Sequence, residues 1–175
     1  MRKILLTLGA IGAFVALPGA ASAQAFVGPY IAFHDDADFG VGGFFGIPVT
    51  EIHEDLAFGG DFGYFFPGDN GHEGRDVDYW ELNANATFRF PLETPAFTPW
   101  VLAGLNLANG SVGKDLGESG SSSNSDTEIG LNLGGGLSFM DGPIQPFVGA
   151  KFELGGGDSA MIFAGISFLL QVANQ

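Results

Sequence analysis

Residues 79–90 read YWELNANATFRF, and this stretch decides the fold class because its polar and apolar side chains alternate. One face carries the polar side chains and one aromatic: Tyr79, Glu81, Asn83, Asn85, Thr87 and Arg89. The other face is apolar throughout: Trp80, Leu82, Ala84, Ala86, Phe88 and Phe90. A period of two is that of a β-strand, whereas a helix repeats about every 3.6 residues. The same alternation recurs in residues 128–139 and 147–154, so we expect an all-β chain.

Working outward from these segments, eight strands are predicted. They cover residues 25–34, 39–47, 56–66, 79–90, 97–108, 128–139, 147–154 and 160–170. Their lengths are close to the roughly 9 to 11 residues that a tilted strand needs to cross a bilayer. Long and short connections alternate, as they do in barrels with one long-loop rim and one short-turn rim. Residues 24–175 are therefore predicted to form an eight-stranded antiparallel up-and-down transmembrane β-barrel.

The first 23 residues have the pattern of a secretory signal peptide. Met1-Arg2-Lys3 is basic, residues 4–17 are apolar, and Ala21-Ser22-Ala23 is a small-residue cleavage site. The apolar run has 14 residues. A membrane-spanning helix needs roughly 20. We expect cleavage after Ala23 and export of the remaining chain.

Composition excludes several classes of function. The chain has 175 residues, enough for one domain, and 20 Asp and Glu against six Lys and Arg give a net charge of −14. Such a chain has no basic surface for nucleic-acid phosphates. It has no Cys, and therefore no disulfide or thiolate metal site. No cofactor is expected.

The alternation alone does not say which face points outward. A soluble lipocalin-like carrier would turn the apolar face inward, whereas a membrane barrel turns it towards lipid. The apolar faces of the fourth, sixth, seventh and eighth predicted strands carry no charge, and their aromatic residues lie near strand ends. Aromatic residues at strand ends are typical of the interfacial girdles of membrane barrels. We therefore favour the membrane barrel and keep the soluble carrier as an alternative.

Two strand starts, TPWVLAGL at residues 98–105 and QPFVGAKF at residues 145–152, resemble strands of the small bacterial outer-membrane β-barrel family of the outer membrane protein A and X type. Gly165, Phe168 and Leu170 resemble that family's assembly signal, although the family usually ends on Phe and this chain continues through residues 171–175. The resemblance implies a place in the outer membrane of a Gram-negative bacterium. It also implies contact with outer-membrane lipids and lipopolysaccharide and recognition by the outer-membrane assembly machinery. We expect a monomer.

Six charged residues are predicted to face the lumen as one polar cluster, and they must be paired or hydrated there. They are Asp61, Glu81, Arg89, Glu128, Lys151 and Glu153. Pairing of the sixth and seventh strands around residues 140–144 would set Lys151 opposite Asn132. The cluster is either a structural plug or an electrostatic gate on a small pore. A filled lumen is favoured by seven inward aromatic residues, with a small apolar cavity as the alternative: Tyr30, Phe44, Phe65, Tyr79, Trp100, Phe147 and Phe163.

The three histidines, His34, His53 and His72, lie in or beside predicted connections and match no metal-ligand spacing. No metal site is therefore expected. Lipid A deacylases, which resemble this chain in size and architecture, use a His, a Ser and an acidic residue at the lipid face. None of the three histidines has a Ser two residues away, so no catalytic site is expected either. Residues 110–128 are polar and of low complexity, and we expect an exposed loop there. Ten acidic residues in the longer connections favour solubility, or divalent cations that bridge to lipopolysaccharide. They are Asp35, Asp36, Asp38, Asp69, Glu73, Asp76, Asp115, Glu118, Asp126 and Asp158.

The sequence thus predicts an integral outer-membrane barrel with a largely filled lumen and a structural or surface-interaction role, without enzymatic activity. Three alternatives stay open. They are a narrow porin-like channel for small solutes, a soluble lipocalin-like carrier and a lipid A-modifying barrel enzyme.

Overall fold

The computed structural model describes residues 25–35, 38–66, 75–92, 96–114, 122–139, 142–155 and 158–170. Its eight strands are β1 Ala25–His34, β2 Asp38–Pro48, β3 Leu56–Phe65, β4 Arg75–Arg89, β5 Phe97–Lys114, β6 Ser122–Phe139, β7 Ile144–Leu154 and β8 Ser159–Leu170. Each strand pairs antiparallel with the next, and β8 closes the sheet on β1. The predicted eight-stranded antiparallel barrel is confirmed. No helix in the described ranges is long and apolar enough to cross a membrane.

The two ends of the barrel differ, because at one of them some strands extend beyond the others. The turn end, as we call it, carries the connections 49–55, 90–96 and 140–143, and the hairpin end carries 35–37, 66–74, 115–121 and 155–158. At the hairpin end, β5 and β6 continue as a paired ribbon up to Lys114 and Ser122. The predicted signal peptide, residues 67–74 and residues 171–175 lie outside the described residues.

This ribbon corrects one expectation. Residues 110–114 and 122–128 were expected in an exposed loop, and the structure places them in β5 and β6. Ladder hydrogen bonds join backbone groups, so a ribbon above the barrel rim needs no apolar face and continues through polar sequence. The remaining low-complexity residues, 115–121, lie outside the described residues.

The seven predicted inward aromatic side chains pack together in the lumen, as expected. Its buried apolar cluster is Tyr30, Ala32, Phe65, Trp100, Phe147 and Met161, with Phe44, Tyr79, Leu102 and Phe163 packed against it. The apolar residues of the opposite face are exposed, among them Leu133, Phe152 and Ile162. A lipocalin-like carrier requires the apolar face inside, whereas this barrel carries it outside.

Trp100 shows why the inward face holds so many glycines. Its ring lies over Gly136 and Gly149, which follow one another across β6 and β7 in the strand register. A Cβ on Gly149 would lie 2.6 Å from Cη2 of Trp100 and 2.8 Å from Cζ of Phe163. Eight strands enclose a lumen only wide enough for packed side chains, so a large ring requires a glycine across from it.

We predict that Gly149→Val destabilises the barrel by about 1–3 kcal/mol, the usual cost of overpacking a filled interior. The measurement is urea unfolding in detergent micelles, followed by the emission of Trp100 in a Trp80→Phe background. Ala150→Val is the matched control because Ala150 is the next residue of β7 and is exposed on the outer face. Equal unfolding midpoints for the two variants would contradict this packing account.

Candidate functional site

A polar network crosses the lumen at mid-height and is built from the inward faces of five strands. We call it the polar network; its members are Asp61 on β3, Glu81, Asn83 and Asn85 on β4, Asn106 on β5, Asn132 on β6, and Lys151 and Glu153 on β7. Glu81, Asn132 and Lys151 are each at most 2% exposed. Buried polar groups of this kind are costly unless they bond to one another.

Lys151 joins two walls of the barrel that are not neighbours in the sheet. Its Nζ lies 2.7 Å from Oε1 of Glu81 on β4 and 3.0 Å from Oε1 of Glu153 on its own strand. A buried ammonium is tolerated when it is paired and hydrogen-bonded in this way. The ion pair therefore braces β4 against β7 through the interior of the barrel.

Asp61 is held by neutral donors. One carboxylate oxygen, Oδ1, accepts hydrogen bonds from Nδ2 of Asn83 at 2.7 Å and from the Tyr30 hydroxyl at 3.2 Å. The other, Oδ2, accepts one from Nδ2 of Asn85 at 2.9 Å. Three donors on β1 and β4 thus satisfy this carboxylate without a cation.

Asparagines connect Asp61 to the ion pair. Oδ1 of Asn83 accepts hydrogen bonds from Asn106 at 2.9 Å and from Asn132 at 2.7 Å. Nδ2 of Asn83 also donates to Glu81 at 3.1 Å. An amide both donates and accepts, so one side chain can link several carboxylates.

His34 and Ser159 extend the polar network towards the hairpin end. The Ser159 hydroxyl donates to Oε2 of Glu153 at 3.4 Å, and Nε2 of His34 lies 3.8 Å from the same oxygen. The imidazole also lies 3.6 Å from the Asp35 carboxylate and packs on the ring of Phe65. The hydroxyl of Ser159 therefore bonds to the carboxylate of Glu153.

Three of these residues could also hold a cation. His34, Glu81 and Glu153 each offer one ligand atom, and these atoms lie within 4.8 Å of one another. The ammonium of Lys151 already lies against oxygens of both glutamates, so a metal ion would have to compete with it. The absence of a metal site stays a prediction from the sequence.

The six predicted cluster residues fall into three places. Asp61, Glu81, Lys151 and Glu153 come together in the polar network. Glu128 is exposed near the hairpin end, opposite Ala108 of β5. Arg89 lies at the turn end, where its backbone N–H donates to the Asp55 carbonyl at 3.0 Å.

Sequence reasoning missed the amide links and His34. The register places Asn132 opposite Glu153, and Lys151 opposite Gly134, so the expectation that Lys151 faces Asn132 is wrong by two residues. His34 ends β1 beside a connection, as expected, but its burial there and its position next to Glu153 were not predicted. Inward Asn at related positions of β4, β5 and β6 was the signal that could have revealed the links.

The predicted assembly-signal residues, the other two histidines and the acidic connection residues lie outside the polar network or outside the described residues. Gly165, Phe168 and Leu170 lie on β8, with Phe168 and Leu170 exposed on the outer face. His53 is exposed at the turn end, and His72 lies outside the described residues. The same holds for half of the ten acidic connection residues, namely Asp36, Asp69, Glu73, Asp115 and Glu118.

We predict that Lys151→Met lowers the free energy of unfolding by about 3–5 kcal/mol, because it leaves two buried carboxylates without their cation. Adding Glu81→Gln should restore part of this loss, since one of the two charges is then removed. Urea titration in micelles measures both variants. Glu128→Gln, on an exposed carboxylate, should stay within about 0.5 kcal/mol of the parent chain. A Lys151→Met barrel as stable as the parent would contradict the brace.

Comparisons with known proteins agree on the fold. No protein-family profile matches the sequence, and no curated protein matches it significantly. Among solved structures, the N-terminal β-barrel domain of Pseudomonas aeruginosa OprF superposes with a TM-score of 0.61 at 17% identity, covering 85% of this chain and 100% of that one. Neisserial surface protein A superposes with a TM-score of 0.59 at 24% identity, covering 83% of this chain and 94% of that one. A major outer membrane protein from Thermus thermophilus superposes with a TM-score of 0.66 at 12% identity, covering 85% of this chain and 99% of that one. The chain therefore has the eight-stranded barrel fold of small outer-membrane proteins.

Proposed function

We propose that this chain is an integral protein of the outer membrane of a Gram-negative bacterium, with a filled barrel that serves a structural or surface-interaction role. The observation that carries the proposal is the outer surface of the barrel. Between the aromatic residues at the two ends of the barrel, the outward positions of the described strands hold only apolar residues or glycine. On β6, for example, the outward positions from Ile129 to Phe139 are Ile, Leu, Leu, Gly, Leu and Phe. Such a band is unfavourable in water and favourable in lipid.

Aromatic residues border this band at both ends. At the hairpin end, the Phe33 and Phe39 rings lie 5.4 Å apart, Phe39 stacks on Phe66 at 6.0 Å, and Tyr64 meets Phe66 at 5.4 Å. At the turn end, Phe88 and Phe90 are 5.0 Å apart. Aromatic side chains prefer the interface between hydrocarbon and water, so two belts support a spanning orientation.

The lumen supports a role other than free diffusion of solutes. Aromatic rings lie on both sides of the polar network, with Phe65 and Tyr79 towards the hairpin end and Trp100, Phe147 and Phe163 towards the turn end. A narrow channel, the alternative function, would require these rings to move aside. The role we propose is therefore carried by the outer surface and the connections. We also propose outer-membrane lipids and lipopolysaccharide as its surroundings, a monomeric barrel, and insertion by the outer-membrane assembly machinery through Gly165, Phe168 and Leu170.

The proposed location is tested by fractionating Gram-negative cells that express the full chain. The outer-membrane pellet should contain a band whose gel mobility changes on boiling, because a closed ring of backbone hydrogen bonds resists detergent until it is heated. A soluble band with unchanged mobility would contradict both the location and the outward-facing apolar band.

The outer band is tested by a charge placed at mid-height. Leu133→Lys should lower the free energy of unfolding in lipid vesicles by about 2–4 kcal/mol, whereas a lysine near the interface should lower it by only about 0–1 kcal/mol. Thr127→Lys is the matched control, because Thr127 lies on the same face of β6 beyond the apolar band. Urea titration in vesicles measures both. Equal losses for the two variants would argue against a bilayer around Leu133.

A further inference from the structure

The turn end of the lumen contains a cavity of about 150 Å³. Its walls are mainly apolar and aromatic, including Phe26, Phe44, Trp100, Leu102, Phe147 and Phe163. An apolar cavity of about this volume accommodates a benzene-sized molecule. It is too small for a membrane lipid with its headgroup.

Polar groups line the same cavity near the rim of the turn end. They include Arg89, the last residue of β4, and Gln145, near the start of β7. Arg89 is half-buried and stands opposite Trp100 across β4 and β5. A guanidinium stays charged, presents five N–H donors and binds a carboxylate through two parallel hydrogen bonds.

Arg89 is the uncommitted charge of this cavity. Asp61 and Lys151 also line it, but three hydrogen bonds satisfy Asp61 and two carboxylates pair with Lys151. No ion pair joins the Arg89 side chain to an acidic side chain within the described part of the chain. Its charge is thus available to a ligand.

We propose that this cavity binds a small monocarboxylate with an apolar body of benzene size. The carboxylate accepts hydrogen bonds from the Arg89 guanidinium, and the apolar body packs against Phe44, Trp100 and Phe147. An organic cation of the same size would meet the positive charge of Arg89 and be excluded. The site is independent of the proposed structural role, because it depends on the interior of the barrel and not on its location in the cell.

The test uses benzoate as the probe and the folded full chain in detergent micelles. In a Trp80→Phe background, Trp100 is the single remaining tryptophan of the two in the chain and lines the cavity. Benzoate should change its emission saturably, with matching heat in calorimetry after subtraction of empty micelles. Benzyl alcohol and benzylamine should bind at least about tenfold more weakly, because neither offers a carboxylate to Arg89.

Arg89→Gln should weaken benzoate binding about 10- to 100-fold, the usual effect of losing a hydrogen bond to a charged group. Arg89→Lys should lie between, since it keeps the charge and loses the paired geometry. Glu128→Gln also changes the net charge by one unit, at the other end of the barrel, and should leave the affinity unchanged.

Ser138→Phe fills the cavity and should remove the binding of benzoate, and its folding is checked by gel mobility before and after boiling. The proposal is overturned if benzoate does not bind, if Arg89→Gln binds it as tightly as the parent, or if benzyl alcohol binds equally well. The cell fractionation tests location alone, so failure of one proposal leaves the other intact.

Discussion

Closure of the sheet through the pairing of β1 with β8 is the constraint on which the rest of this structure depends. A closed antiparallel ring satisfies the backbone hydrogen bonds of its strands without an edge, and it divides all side chains into an inner and an outer set. With eight strands the inner set has little room. The glycines of the inner face therefore follow from the large rings they accommodate, as Gly136 and Gly149 accommodate Trp100. The outer set has no such limit, and it is apolar for a different reason, namely its surroundings.

The polar network adds contacts that the ladder cannot supply. Strand pairing fixes only neighbouring strands, whereas Lys151 joins β7 to Glu81 on β4, and Asn132 reaches from β6 to Asn83 on β4. These contacts act through the interior of the barrel, between strands that are not neighbours. Because a buried charge or amide is satisfied only in one relative placement of the strands, the network also disfavours slipped registers.

The sequence was sufficient for the eight strands where they form the closed ring, and for the faces of most inward residues, because both follow from a period of two. It did not predict the polar ends of β4, β5 and β6, which have no such alternation. Tyr30, Phe65 and Trp100 lie in the lumen as expected. It was not sufficient for contacts between strands that are not neighbours, since these depend on strand stagger and on turn geometry. A turn centred one residue later than expected moved Lys151 from Asn132 to Gly134. The position of His34 next to Glu153 was missed for the same reason, since β1 and β7 are not neighbouring strands.

The extra height of β4, β5 and β6 limits how far closure extends. In the described ladders, β3 pairs with β4 only as far as Tyr79, and β6 pairs with β7 only from Leu131 onward. Above those residues, within the part of the chain that the structure describes, the three strands pair only with one another. Residues 122–128 are entirely polar, so the outward apolar face of β6 stops close to the height at which closure stops.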